Sequence, residues 1–330
     1  MTLSKDQCLN IKGYAMLLII LYNFLRHQIE IDGNEMYFSA TYTKDFVENI
    51  FTSQGVVYLF SFCGWIGVPL FLFLSGYGLS RKYGDADIHF FYYFKRHCVK
   101  LWILLVPIFL LYILINNSIF DHGFSGKAIV AQVFFIINLC NPNAIDPGTY
   151  WFFGLILQFY LLFLFLRKKP VLYLAILGIG AMVIDYCVMY FLDESSIRYL
   201  KHNCIGWLVP FIIGIWFEKT ELQICKSQCV KVLFISVVLF PFALTIKCLS
   251  PFTQILAIII FVCFIYLYTN RVIQYIGVIS SSLFVVHPVF RMIINNTMDS
   301  KNMLLLASFL YVFLTISGGA IHNYIVNKFK

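Results

Sequence analysis

A carboxylate and an imidazole set inside long apolar runs are the groups best placed to do chemistry in this sequence. Asp185 lies within the apolar stretch 171–192 and His287 within 273–292. An ionisable side chain in such a run costs a few kcal/mol unless it is paired or faces a polar cavity, so a functional role is the default for both. His287 is either a proton acceptor or a packing histidine that orients a neighbour, and Asp185 either lines a cavity or pairs with an adjacent helix. His27, next to Arg26 at the end of the first apolar stretch, is a second candidate base or an interfacial histidine. Arg96 and Lys100 in FYYFKRHCVKLW stand four apart, so on a helix they share a face that could clamp phosphates, although charge that sets topology also accounts for them. Ser75 and Gly76 suit a close helix contact or a break in a helix, with cavity lining as a secondary role. Trp151, preceded by Tyr150, is either an outer aromatic anchor or a face on which a ligand stacks.

The elements that must position these residues are membrane helices. Apolar residues make up 61% of the 330 and charged residues 12%, against about 25% charged in a soluble domain. Ten stretches are long enough to cross a bilayer, at roughly 10–27, 56–79, 101–117, 149–167, 171–192, 203–217, 231–249, 253–269, 273–292 and 303–323. Each is bounded by charge, Pro, Gly or Asn. The run Ala128–Cys140 is too short to span and reads as an interfacial or re-entrant helix. Thr2–Gln7 is polar rather than basic, and no small-residue cleavage site follows, so the first apolar run is expected to stay in the mature chain. No internal repeat or low-complexity tract is present, and 1–330 reads as a single domain. The expected fold is all-α: a polytopic integral membrane protein of about ten transmembrane helices, with both termini inside.

Orientation follows from the basic residues. Sixteen Lys and Arg fall on the side that holds the N-terminus and eight on the other, while the acidic residues divide five to ten, with Asp185 in a span. Such a bias places both termini in the cytoplasm, and it accounts for the net charge of +8 through contact with the inner leaflet, without nucleic acid. The ten cysteines are scattered, mostly within apolar spans where Cys acts as a small hydrophobe. Cys225 and Cys229 have no second pair to complete a metal site, the seven histidines are dispersed, and no metal or permanently bound cofactor is expected.

Four segments are distinctive: NIKGYAMLLIILYN (10–23), GVPLFLFLSGYGLS (67–80), YWFFGLILQFYLLF (150–163) and IGVISSSLFVVHP (276–288). In this order, across nearly the whole chain, they resemble the membrane-bound acyltransferase family 3. Gly67, Val68, Phe71, Leu74, Ser75, Gly76 and Tyr77 match the family's second-span run, Trp151 and Phe152 its fourth-span opening, and Gly277, Ile279, Ser280 and His287 its ninth-span motif. The resemblance implies ten helices with both ends inside, and transfer of an acyl group, usually acetyl, from cytoplasmic acyl-CoA to a sugar hydroxyl. Acetyl-CoA is then the donor substrate, and a surface or capsular glycan, or a lipid-linked sugar, the acceptor, in the cell inner membrane.

The family's first helix carries an Arg and, eleven residues on, a catalytic His; the matching positions here are Lys12 and Asn23. Eleven residues return to within about 20° of the same helical face and lie roughly 16 Å apart along the axis. Lys keeps the charge without the planar fork of Arg. Asn can hold a hydroxyl by hydrogen bonds but has no accessible pKa and cannot be a general base. His27 or His287 would then take the proton. Arg96 and Lys100 would hold the donor's phosphates, and Ser75, Trp151 and Asp185 would line the substrate cavity. The family's two tyrosines in the ninth span are here Ser281 and Phe284. A different class of function on the same fold is a non-catalytic glycan transporter, which needs the cavity but not the base. The charge bias makes a direct prediction: in intact cells lacking native cysteines, an impermeant thiol reagent should label a cysteine at Lys44 and not one at Asp85, and labelling at Asp85 would invert the topology.

Overall fold

The computed structural model describes residues 2–30, 35, 37–84, 86–120, 123–140 and 144–328; Asp85 lies outside them. The described residues form fifteen α-helices and no strand. In hydrocarbon every backbone N–H and C=O must be satisfied within the chain, which a helix does by itself. The first span is α1 (Lys5–Ile29), started by a Ser4 cap whose hydroxyl accepts from the Gln7 amide while the Gln7 side chain accepts from Ser4 N–H. A short outer helix α2 (Ala40–Asn49) leads to α3 (Gly55–Cys63) and α4 (Gly67–Tyr83), which a 3₁₀ turn at Gly64–Ile66 joins into the second span. The third span is α5 (Phe90–Phe120).

The expected short helix at 128–140 is two pieces, α6 (Gly126–Val133) and α7 (Ile137–Cys140). They are separated by Phe135, which adopts a left-handed conformation (φ 60°) with its side chain buried. Then come α8 (Trp151–Leu166), α9 (Val171–Phe191), α10 (Glu194–Lys201), α11 (Leu208–Thr220), α12 (Lys226–Thr245), α13 (Thr253–Leu267), α14 (Arg271–Thr297) and α15 (Leu304–Asn327). Among the described residues nine helical segments are long and apolar enough to cross. The tenth is bent by 71° between α10 and the segment Cys204–Thr220, and counting it as one span returns the chain to its starting side.

Burial sorts the bundle into a centre and a rim. The most apolar 18 residues of α1 and α14 are 61% and 72% buried, against 11% for α9 and 22% for α5, α12 and α15. Lipid, being as apolar as leucine, cannot drive helices together, so their approach depends on small residues at the contact. A methyl group at Gly13 would collide with the Ile273 carbonyl, and one at Gly277 with the Leu9 carbonyl. The same reciprocal arrangement joins α4 to α11, Gly76 against Phe211 and Gly214 against Phe73. Gly76 is therefore a helix-contact residue. Asn10 adds a polar pin, its Oδ1 accepting from the Asn270 N–H at 2.8 Å where α14 begins.

Asp185 on α9 meets the Lys201 ammonium at 2.6 Å, with both side chains nearly buried. Lys201 also lies over the Trp207 ring, 5.5 Å from its centroid. Removing one partner of a buried pair leaves an uncompensated charge, at a cost of about 3–5 kcal/mol. Lys201→Met should therefore lower the thermal unfolding temperature of the detergent-purified protein, and Asp185→Leu in the same chain should restore most of the loss. A single variant with wild-type stability would show that the pair is dispensable.

Candidate functional site

The interior of the bundle is hollow from both ends of α1. At its inner end, a 200 Å³ cavity is lined by Lys12, Ser75, Lys100, Tyr160, Ser280 and Ser281 among others. At its outer end, a 380 Å³ cavity is lined by Asn23, Arg26, Glu35, Trp151 and His202 among others. The second volume falls within the range of small-molecule pockets. Both cavities share two wall residues, Phe152 and Phe284, whose ring centroids are 5.2 Å apart. One aromatic contact thus separates a chamber carrying two lysines from a chamber carrying amide, carboxylate, guanidinium and imidazole groups. The Tyr150 hydroxyl donates to the Val285 carbonyl at 2.6 Å and fixes the start of α8 against α14 beside this contact.

Each candidate from the sequence has a definite place. Lys12, Ser75 and Lys100 line the inner cavity, Ser75 with its hydroxyl donating to the Phe71 carbonyl at 2.8 Å. Arg96 is exposed, one turn beyond Lys100 towards the N-terminal end of α5, and does not line the cavity. Asn23 and Trp151 line the outer cavity. Trp151 is 5% exposed and stacks on Trp207 at 5.8 Å, so it faces the interior and not the lipid interface. Asp185 lines neither chamber; with Lys201 it borders a 30 Å³ pocket behind Glu35 and Tyr37.

The two histidine candidates do not join Asn23. His27 borders a separate outer cavity of 460 Å³ with Tyr112, Asp146 and Arg291. Arg291 stands between, donating to the Asn23 carbonyl at 3.2 Å. His287 is fully buried in α14, its Nδ1 3.3 Å from the Leu283 carbonyl, and its Nε2 meets no polar partner among the described residues. It packs against Phe284, at 5.6 Å between centroids, and so braces one ring of the shared wall.

Several outer-cavity residues escaped the sequence reading. Tyr22 donates to Glu35 Oε2 at 3.1 Å and accepts from Arg26 at 3.0 Å, with Arg26 also 3.8 Å from the Glu35 carboxylate. His202 occupies the turn between α10 and Cys204, where the sixth span breaks. The Asn138 amide donates to the carbonyls of both His202 and Trp151, at 2.6 and 2.7 Å. Gln158 donates to Asn203 at 2.7 Å and accepts from the Cys204 N–H at 2.9 Å. Only the alternation of Tyr22 with Arg26 at i and i+4 could have hinted at this wall; Glu35 and His202 lie in connecting segments that carry no periodic pattern.

Chemically, the arrangement can hold an anionic ligand from the inner side by Lys12 and Lys100 and a hydroxyl-rich ligand from the outer side by amide, guanidinium and aromatic groups. The two ligands can meet only if Phe152 or Phe284 turns aside. A double variant Phe152→Ala, Phe284→Ala should therefore let an impermeant thiol reagent applied outside label a cysteine placed at Ser281. With both rings present the same cysteine should stay unlabelled; equal labelling in the two backgrounds would mean that the rings divide nothing.

Residues 9–324 match the family model described as an acyltransferase domain. No curated protein and no solved structure matches the chain.

Proposed function

The chain belongs to acyltransferase family 3, and from that premise we propose that it moves an acetyl or other acyl group from cytoplasmic acyl-CoA to a hydroxyl of a surface or capsular glycan, or of its lipid-linked precursor, at the cell inner membrane. The observation that carries this reading is the pair of cavities set back to back across Phe152 and Phe284. Acyl-CoA is an anion with a long thin arm; the inner cavity offers two ammonium groups, Lys12 and Lys100, among phenylalanine, leucine and isoleucine side chains. The acceptor is a polyol, and the outer cavity offers aromatic faces with hydrogen-bonding groups around them.

The reaction joins the hydroxyl oxygen to the thioester carbonyl carbon and breaks the carbon–sulfur bond, giving an ester and the free thiol of CoA. Lys12 and Lys100 hold the donor from the cytoplasmic side, and Arg96, a turn further out, meets its outer phosphates. Asn23 uses one amide hydrogen on the Ile19 carbonyl at 2.9 Å, which leaves a second for an oxygen in the outer cavity. A side-chain amide in that position can stabilise the oxyanion that forms as the hydroxyl attacks. Trp151 gives the acceptor ring a stacking surface.

One observation favours a second reading. Asn23 has no basic lone pair, and a glycan transporter on this fold would have no use for one. Labelled acetyl-CoA supplied to the cytoplasmic face of membrane vesicles decides between them: acyltransfer predicts label in envelope glycan that depends on the gene, while transport predicts gene-dependent export with no label. Where label appears, Lys12→Ala with Lys100→Ala should raise the KM for acetyl-CoA by about 10²- to 10⁴-fold, from the loss of two charge-assisted hydrogen bonds of roughly 1.5–3 kcal/mol each. The effect should shrink as salt is raised.

A further inference from the structure

We infer that His202, in the break of the sixth span, is the general base that accepts the acceptor's hydroxyl proton. This rests on the acyltransfer reading above and assigns a residue to its missing chemical role. Asn23 stands where the proton acceptor is expected and cannot serve. Of the histidines named from the sequence, His27 opens into a different cavity and His287 is sealed within α14. Among the described residues, His202 is the histidine that lines the same chamber as Asn23 and Trp151.

Its geometry suits a base. The ring Nδ1 lies 2.7 Å from the Arg198 carbonyl. A carbonyl only accepts, so the neutral ring must carry its proton on Nδ1, and the lone pair is then on Nε2, at the opposite side of the ring. The ring stands edge-on to Trp151, centroids 5.5 Å apart, and His202 is 8% exposed. Trp151 and His202 both line the outer cavity, so an acceptor held there lies against this pair of rings. The backbone beneath is clamped: Asn138 binds the His202 carbonyl, and Asn203 donates to the carbonyls of Asn138 at 3.2 Å and Tyr199 at 2.8 Å. Glu35, the carboxylate in the chamber, is already engaged by Tyr22 and Arg26. The proton that leaves the hydroxyl passes to Nε2 and then to the departing CoA sulfur, so the histidine ends each turnover neutral and no other reagent is consumed.

The test compares wild type with His202→Asn in membrane vesicles given labelled acetyl-CoA, scoring label in envelope glycan. Asparagine keeps an N–H for the Arg198 carbonyl and removes the second ring nitrogen. The expected result is a loss in turnover of about 10²- to 10⁴-fold, the usual contribution of general-base catalysis, with the KM for acetyl-CoA within about threefold. If His202→Asn does not accumulate in the membrane, His202→Gln carries the same comparison. Turnover within about tenfold of wild type in the variant that does accumulate would overturn the assignment. So would a loss that appears in His27→Ala or His287→Ala while His202→Asn retains full turnover. Absence of label with the wild-type protein would overturn the acyltransfer reading itself, and the role of His202 with it.

Discussion

The close crossing of α1 and α14 is the contact on which the polar interior depends. Gly13 and Gly277 let two backbones approach to a distance that any Cβ would forbid, and the crossing lies one residue from Lys12. Because α1 is buried over most of its length, it has little lipid-facing side to accommodate a rotation. Its residues therefore hold fixed bearings from one end of the bundle to the other, with Lys12 on the inner cavity and Asn23 on the outer. Arg291 extends the same registration outward by binding the Asn23 carbonyl from α14. In a bilayer, where apolar surface gains nothing by leaving lipid, such a contact rests on close packing and a few hydrogen bonds.

The second constraint is that non-helical backbone at membrane depth must be satisfied by protein. The bend of 71° in the sixth span would otherwise leave carbonyls without partners. Asn138 and Asn203 supply them from α7 and the turn itself, Trp207 donates to the Lys201 carbonyl at 2.5 Å, and Gln158 of α8 accepts from the Cys204 N–H. The polar residues that hold the bend are thus the ones that shape the outer chamber. The Asp185–Lys201 pair secures the far side of α10 against α9.

Much of this was legible in the sequence, and the remainder was hidden for physical reasons. Bilayer thickness sets the length of a span, so hydropathy finds the ten crossings. Ordered motifs place Ser75 and Trp151 on cavity-lining spans. The breaks at Gly64–Ile66 and around Phe135 are invisible to hydropathy, because a broken apolar segment and a continuous one share a composition. Likewise α10 is amphipathic and polar at its start, so it reads as loop. Asn23 and His27 stand four residues apart, about 400° of helix or a net 40°, and Arg291 of α14 binds the Asn23 carbonyl. The third span is expected at 101–117, but α5 begins at Phe90, so that Arg96 sits beyond the chamber Lys100 lines. His202 and Glu35 belong to connections, whose positions only the folded chain determines.

A membrane protein hollowed from both faces is close to being a leak. An energised membrane holds roughly 2.3 kcal/mol per elementary charge for each 100 mV, and a continuous file of water through the bundle would let protons run down that gradient. Phe152 and Phe284, two apolar rings in contact, stand between the two polar chambers. A tyrosine at 284 would have placed a hydroxyl in that wall; phenylalanine leaves nothing for a proton to hop along. The bundle can therefore carry a polar chamber at each end of α1 with only an apolar contact between them.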